Sequence, residues 1–150
     1  MGLLLLAMAS TWLTSCLRQT VYYRFAHTAL SGWEKNDVIE YGVSPMAEDC
    51  TLSEEVLLRT NILYPFQKLT LVLEQEIVPT GSTRRDTVEC VITDREGVTM
   101  GEGTGVYTYG YRLADLQLAR GDSLHIRLRH NMKREILPGI ADVGIRLWKR

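Results

Sequence analysis

The chain lacks an excess of charge, low-complexity tracts and internal repeats. Its 150 residues include 17 Lys and Arg and 18 Asp and Glu, which gives a formal net charge of -1. Charges of both signs are interspersed along the sequence, unlike the basic surface that is typical of proteins that bind nucleic acid. We therefore expect no nucleic-acid partner.

The sequence also lacks the spacings that are typical of metal and catalytic sites. Its three cysteines form no CxxC pair, and His27 lies far from His125 and His130 in the sequence. No nucleophile stands beside a base, and no pair of carboxylates is distinguished by its spacing. We predict that the protein is not an enzyme, and we expect no catalytic residue, no metal site and no cofactor.

The apolar run near the N-terminus is too short to cross a bilayer of about 30 Å, which requires roughly 20 residues. The run covers residues 3–9, and Leu13-Thr14-Ser15 then precede Cys16 as a lipobox. We interpret residues 1–15 as a lipoprotein signal peptide and Cys16 as the lipidation site, carrying acyl groups such as palmitate. Residues 16–20 would be the lipidated tether. The alternative is a buried N-terminal segment of a cytosolic protein.

Residues 21–150 have the composition of one globular domain, because 45% of the chain is apolar and 23% is charged. About eight segments rich in β-branched and aromatic residues alternate with turn residues. These predicted strands are residues 21–28, 37–43, 54–62, 68–78, 86–93, 106–112, 123–129 and 140–148. Residues 113–119 are expected to form a helical turn or a loop.

Two strands show the alternation of buried and exposed positions most clearly. In residues 68–78, Leu69, Leu71, Leu73 and Gln75 share one face, and Thr70, Val72, Glu74 and Glu76 share the other. In residues 123–129, Leu124, Ile126 and Leu128 are predicted to point inward, with His125, Arg127 and Arg129 outward. The pattern predicts an all-β fold, an antiparallel β-sandwich of jelly-roll-like or immunoglobulin-like topology.

Cys50 and Cys90 are the two cysteines of the predicted domain. In an exported protein they could form a disulfide, which would stabilise the fold by roughly 4 kcal/mol for a loop of this length. The alternative is that both are small buried apolar residues.

Tyr107, Tyr109 and Tyr111 lie on the same side of a predicted strand. They could form a stacking platform for sugar rings, which would make the domain a periplasmic or surface glycan-binding module. Alternatively, the three rings pack beneath a loop or against a neighbouring strand.

The ordered motifs of the chain resemble those of the gliding-motility lipoprotein family GldH. The motifs are Cys16, Gly32-Trp33, Asp37-Val38, Leu57-Leu58-Arg59, Tyr64-Pro65, Asp86-Thr87, the glycine-rich residues 97–105, Met132-Lys133-Arg134, Leu137-Pro138-Gly139-Ile140 and Asp142-Val143-Gly144-Ile145. The resemblance implies a lipid-anchored component of the gliding apparatus, linked to type IX secretion and without known catalytic activity. Its expected partners are the membrane, through the N-terminal lipid, and other gliding or type IX secretion envelope proteins.

The stretch from residue 132 to residue 145 is the most specific to that family. Leu137 could either anchor its loop or offer an apolar contact to a partner. We predict that Arg134, helped by Arg59, meets a carboxylate of a partner protein, because a guanidinium binds carboxylates through two parallel hydrogen bonds. No acidic residue lies in residues 17–20, beside the predicted lipid. We therefore expect a domain on the outer membrane that faces the periplasm.

Overall fold

A computed structural model describes residues 18–150, so the predicted signal peptide and Cys16 lie outside the described part of the chain. Within that part there are eleven β-strands and no helix, and therefore no helix that is long and apolar enough to cross a membrane. The strands are β1 (Thr20–His27), β2 (Trp33–Glu34), β3 (Ile39–Val43), β4 (Cys50–Asn61), β5 (Lys68–Val78), β6 (Ser82–Val91), β7 (Val106–Arg112), β8 (Leu116–Leu118), β9 (Ser123–His130), β10 (Ile136–Leu137) and β11 (Ile140–Lys149).

The strands form two main antiparallel sheets and a short ribbon. The five-stranded sheet has the order β1-β11-β4-β7, with β8 also beside β4, and the four-stranded sheet has the order β3-β9-β5-β6. Strands β10 and β2 form the ribbon. Among the eight long strands the first pairs with the last and the second pairs with the seventh, which is the order of a jelly roll. The predicted antiparallel β-sandwich is therefore confirmed, and its topology is the jelly-roll alternative.

The core lies between the inner faces of the two sheets. As predicted, Leu69, Leu71 and Leu73 of β5 and the alternate apolar residues of β9 are buried there. Contacts between the sheets are polar as well as apolar. For example, the Tyr41 hydroxyl of β3 donates to the Val143 carbonyl oxygen of β11 at 2.6 Å.

Strand β4 lies in the middle of the five-stranded sheet and has two different faces. Leu52, Glu54, Val56, Leu58 and Thr60 are its buried inward positions, because alternate residues of a strand share one face. The residues between them point to the outer face of the sheet. This face is packed rather than bare, since even the outward Leu57 is buried.

The structure differs from the predicted strands most clearly at three places. Strand β4 begins at Cys50 rather than residue 54, and β6 begins at Ser82 rather than residue 86. Residues 113–119 contain the short strand β8, which pairs with Cys50–Leu52 of β4. The extra residues are mostly polar or half-exposed, so they have no clear apolar alternation and their strand conformation depends on pairing with distant segments.

Candidate functional site

The loop between β9 and β11, residues 131–139, is the family-specific segment with the most distinctive geometry. Within it, Leu137 pairs with Trp33, and Ile136 pairs with Glu34. Leu137 is fully buried, whereas the side chain of Ile136 is 44% exposed. Leu137 therefore belongs to the core. This position corresponds to the anchoring alternative, because the extended backbone turns the neighbouring side chains of Ile136 and Leu137 to opposite faces.

His130 holds the start of this loop from beneath. Its side chain is fully buried, and its Nε2 lies 3.2 Å from the Trp33 carbonyl oxygen. The Met132 N–H donates to His130 Nδ1 at 3.4 Å. Because Nδ1 accepts, the proton must sit on Nε2, so the ring is neutral. Burial lowers the pKa of His130, which agrees with this neutral structural role.

Gly139 fastens the other end of the loop to the turn that follows β4. Its φ is +78°, and an added Cβ would lie 2.2 Å from the Tyr64 nitrogen. Its carbonyl oxygen accepts a hydrogen bond from the Asn61 N–H at 2.9 Å. No other residue type fits this close approach and this backbone conformation without strain. The loop is thus fixed at both ends.

The tip of the loop presents charged side chains to solvent. Lys133, Arg134 and Glu135 are all exposed. Arg134 makes no side-chain hydrogen bond or ion pair with any residue between 18 and 150. Its guanidinium therefore keeps its donors available while the backbone beneath it is anchored.

Arg59, the other predicted partner-binding arginine, lies on the outer face of the five-stranded sheet. Its Nη1 is 3.6 Å from Asp142 Oδ2. Its guanidinium carbon stands 3.9 Å from the centre of the Phe25 ring, a cation–π contact. Asp142 also contacts His27. No contact within the described chain joins Arg59 to Arg134, so the structure holds Arg59 inside its own sheet.

Two glycines let large side chains lie flat on this outer face. Phe25, Gly144, Leu57 and Gly110 form one row across β1, β11, β4 and β7. A Cβ on Gly144 would be 2.8 Å from the Phe25 ring, and one on Gly110 would be 2.2 Å from Glu55. Most of the face is therefore occupied by groups that already have partners.

Charged groups border this row. Arg146 Nη2 lies 2.6 Å from Glu55 Oε2, and Arg112 and Arg146 have guanidinium carbons 5.4 and 5.0 Å from the centre of the Trp148 ring. Both arginines therefore make their charge contacts with residues of the same sheet. Arg134, in contrast to these two arginines, has no ion pair with any residue in the described part of the chain.

The tyrosine row faces the core and not the solvent. Tyr109 is buried, and Tyr107 and Tyr111 pack against the core. The Tyr111 hydroxyl donates to the Val91 carbonyl oxygen at 2.7 Å, and the Tyr109 hydroxyl is 2.7 Å from Thr99 Oγ1. A stacking platform needs exposed ring faces, so the glycan-binding alternative loses the residues on which it depended.

A buried polar cluster between the two sheets was not predicted. Glu54 of β4 is fully buried, and the side-chain amide of Gln75 donates to its Oε1. Arg84 Nη2 lies 2.8 Å from Glu54 Oε2, and Arg84 Nε lies 2.6 Å from Asp86 Oδ2. The signal for Glu54 was present in the sequence, because it shares the inward face of its strand with apolar residues.

Loss of solvation raises the pKa of Glu54 to about 7, since burial outweighs the attraction of Arg84. Acid–base catalysis would require a substrate beside the carboxyl group. Both oxygens of Glu54 are instead occupied by Gln75 and Arg84. The cluster therefore acts as a polar link between the sheets.

Cys50 and Cys90 are both free thiols in the structure, so it does not bring the predicted disulfide pair together. Cys50 lies in the five-stranded sheet and Cys90 in the four-stranded sheet. Burial raises the pKa of the Cys90 thiol to about 12, which makes it unreactive near neutral pH.

The histidines do not converge. His27 contacts Asp142, His125 Nε2 lies 3.3 Å from Glu40 Oε2, and His130 is buried under the loop. Within residues 18–150 no group of three or more His, Cys, Asp or Glu side chains is placed to hold a metal ion. Each of the three histidines therefore has its own local contacts.

Weak structural similarities accompany this fold. The chain resembles part of a solved structure of the GH115 4-O-methyl-alpha-glucuronidase BtGH115A, with 13% identity and a TM-score of 0.47. The match covers 89% of this chain and 18% of that one. Eiger TNF from S. frugiperda matches with 12% identity and a TM-score of 0.35, over 89% and 94% of the two chains. Neither likeness carries an argument about function.

The sequence comparisons agree with the motifs that first pointed to a family. A family model described as GldH lipoprotein matches residues 20–147. The gliding motility lipoprotein GldH of Flavobacterium johnsoniae is 31% identical over 156 residues, covering 99% of this chain and 96% of that relative. Because both matches extend over nearly the whole domain, the chain belongs to the GldH lipoprotein family.

Proposed function

We propose that this gliding-motility lipoprotein is a non-enzymatic docking module that binds other envelope proteins through the tip of the 131–139 loop. The observation that carries the proposal is the position of Arg134, an exposed guanidinium on an anchored loop, with no side-chain partner among residues 18–150. Preordering of this kind favours binding, because less conformational entropy is lost when the partner arrives.

The chemistry of the tip indicates what the partner must offer. A guanidinium binds a carboxylate through two parallel hydrogen bonds, a geometry that the ammonium group of lysine cannot reproduce. Ile136 adds a half-exposed apolar contact beside it. We therefore infer that the loop recognises an acidic side chain next to a small apolar surface. The partner would be a component of the gliding or type IX secretion machinery.

We further propose that Cys16 carries the lipid, after removal of residues 1–15, and that the domain is anchored to the outer membrane and faces the periplasm. Family membership and the lipobox support the anchor. The absence of acidic residues in residues 17–20 supports the orientation. Such a tether would keep the loop close to membrane-bound partners and raise their effective concentration.

The test compares Arg134→Ala with the wild-type protein after gentle crosslinking in native membranes, detergent extraction and affinity capture. We expect the variant to lose most of its crosslinked gliding or secretion components, identified by mass spectrometry, at an unchanged melting temperature. Arg134→Lys keeps the charge and should restore only part of the capture. Arg95→Ala is the matched control, since Arg95 is another exposed arginine that forms no ion pair with residues 18–150.

Unchanged capture by Arg134→Ala would contradict the proposal. A fall in melting temperature that accounts for the lost capture would also contradict it, because the residue would then act through stability alone. Recovery of the wild-type protein without any envelope component would count against a docking function of any kind.

A further inference from the structure

Strand β1 leaves one of its two edges open. Among the strands that the structure describes, it pairs with β11 alone. The same register joins the Thr28 N–H to the Ala141 carbonyl oxygen at 3.1 Å. In an antiparallel pair alternate residues direct their backbone groups toward the partner strand. Tyr23, Phe25 and His27 therefore direct their backbone N–H and C=O groups away from β11. Within residues 18–150 no backbone group pairs with them there.

The other three sheet edges are shorter or better protected. Glu102 and Thr108 exchange two backbone hydrogen bonds, of 3.0 and 2.8 Å, alongside β7. Strand β6 carries several charged side chains, and Arg84 donates to the Ala114 carbonyl oxygen beside it at 3.3 Å. Strand β3 has only five residues. Natural sheets use such devices against unwanted pairing, and the eight residues of β1 have fewer of them.

A groove of about 460 Å³ lies beside this open edge, between β1 and β3. Tyr22 and Arg24 line it from β1, whereas Gly42, Val43 and Met46 line it from β3 and the segment that follows. Gly42 leaves open space where a side chain would stand. The Tyr22 hydroxyl is buried and has no hydrogen-bond partner among the described residues. A strand added to β1 would turn alternate side chains into this groove.

The charge of the groove indicates which strand would fit. Arg24 is exposed and forms no ion pair within the described part of the chain, whereas Lys149 at the end of the groove is paired with Glu48. A second copy that paired antiparallel at β1 would bring two Arg24 side chains close to each other near the middle of the strand. Like charges at such positions are destabilising, so an acidic partner fits better than a second copy.

We propose that β1 is a strand-addition site, which takes up an extended segment of another protein that places an acidic side chain against Arg24. The backbone groups of Tyr23, Phe25 and His27 would hold the added strand, and the groove would select its inward side chains. This site lies on different elements from the Arg134 loop and goes beyond the proposed function.

The probe is a library of short random peptides displayed on phage and selected on the detergent-solubilised full-length protein. The peptides selected should contain an acidic residue within an alternating apolar pattern. Synthetic versions are then measured by fluorescence anisotropy against two variants, Tyr23→Pro and Tyr23→Val. Both variants remove the aromatic ring, but only proline also removes the N–H that faces the open edge, and no β1–β11 hydrogen bond is lost.

We expect Tyr23→Pro to weaken peptide binding by about tenfold or more, whereas Tyr23→Val changes it little. Arg24→Glu should weaken binding similarly, and Arg95→Glu should have no effect. Arg134→Ala should also leave peptide binding unchanged, so failure of the docking loop and failure of this site can be told apart.

Equal binding to the two Tyr23 variants, or selection of no peptide at all, would overturn the proposal. Self-association that Tyr23→Pro abolishes would assign the edge to a second copy instead and would overturn it as well. If Tyr23→Pro does not fold, hydrogen exchange of the wild-type protein decides. The amides of Tyr23, Phe25 and His27 must become protected when the peptide binds, and unchanged exchange rejects the site.

Discussion

At the scale of single residues, Glu54 behaves least as its type would suggest. Its carboxyl group lies in the core between the two sheets, and its pKa of about 7 is above the ordinary value of 4.5. The folded protein therefore holds this proton more tightly than the unfolded chain does. The resulting stabilisation is fully present below pH 4.5 and is lost as the pH rises through 7.

We expect Glu54→Gln to remove this pH dependence, because glutamine keeps the shape of the protonated acid and cannot ionise. The carbonyl oxygen of Gln75, which has no partner among the described residues, can accept a hydrogen bond from the new amide. The unfolding free energy of the variant minus that of the wild type should rise by on the order of 3 kcal/mol from pH 4.5 to 8. Chemical denaturation at several pH values measures this difference.

A difference that stays constant over this pH range would show that Arg84 keeps Glu54 charged in the folded protein. Glu89→Gln provides the matched control, since Glu89 is exposed and pairs with Lys68 on the surface of the four-stranded sheet. We expect a much smaller change for it, because exposed ion pairs contribute little to stability.

The position of Glu54 was readable in the sequence, but its partners were not. Leu52, Val56 and Leu58 place Glu54 on an inward face by simple alternation. The alternation of Leu69, Leu71 and Leu73 places Gln75 on the inward face of its strand in the same way. That these two side chains meet depends on how the sheets stack, which alternation within single strands does not determine.

At the scale of secondary-structure elements, the 131–139 loop separates anchoring from recognition. We expect Leu137→Ala to lower the unfolding free energy by about 3 kcal/mol, because it opens a cavity in the core. Ile136→Ala, one residue away, should change it by less than about 1 kcal/mol, since that side chain is half exposed. Thermal or denaturant unfolding of both variants gives the comparison.

Similar losses of unfolding free energy for the two variants would mean that the ribbon of β10 and β2 does not anchor the loop through Leu137. Arg134→Ala offers an additional reference. Its side chain is exposed and has no partner in the described part of the chain, so the variant should keep the unfolding free energy within about 0.5 kcal/mol of wild type.

The long strands were predictable because their signal is local. The alternation in β5 and β9 is visible over eight or more residues, and their buried faces agree with it. Strands β2, β8 and β10 have two or three residues each, too few for any period to be recognised. They exist because a distant segment offers them backbone partners. The jelly-roll order rests on such distant pairings as well, and the sequence therefore left two topologies open.

At the scale of the whole molecule, the predicted lipid anchor is open to a direct test. If Cys16 is acylated, the mature protein should lack residues 1–15 and partition into the detergent phase. We expect Cys16→Ala to give an unprocessed or soluble protein, because the thiol that carries the lipid is missing. Detergent partitioning and mass spectrometry of the purified protein measure both properties.

Cys50→Ala is the control for this experiment and should partition like the wild type, since Cys50 belongs to the folded domain. The anchor assignment would be lost if Cys16→Ala, with its signal removed, remained membrane-bound to the same extent.

The direct passage from the N-terminal segment into β1 has a mechanical consequence. Strand β1 is bound along its length to β11, and its hydrogen bonds lie perpendicular to the strand axis. Traction along that axis would shear all of these bonds at once, whereas traction across it would unzip them one after another. The angle at which a pulling force reaches residue 18 would therefore decide how large a force is needed to separate β1 from β11.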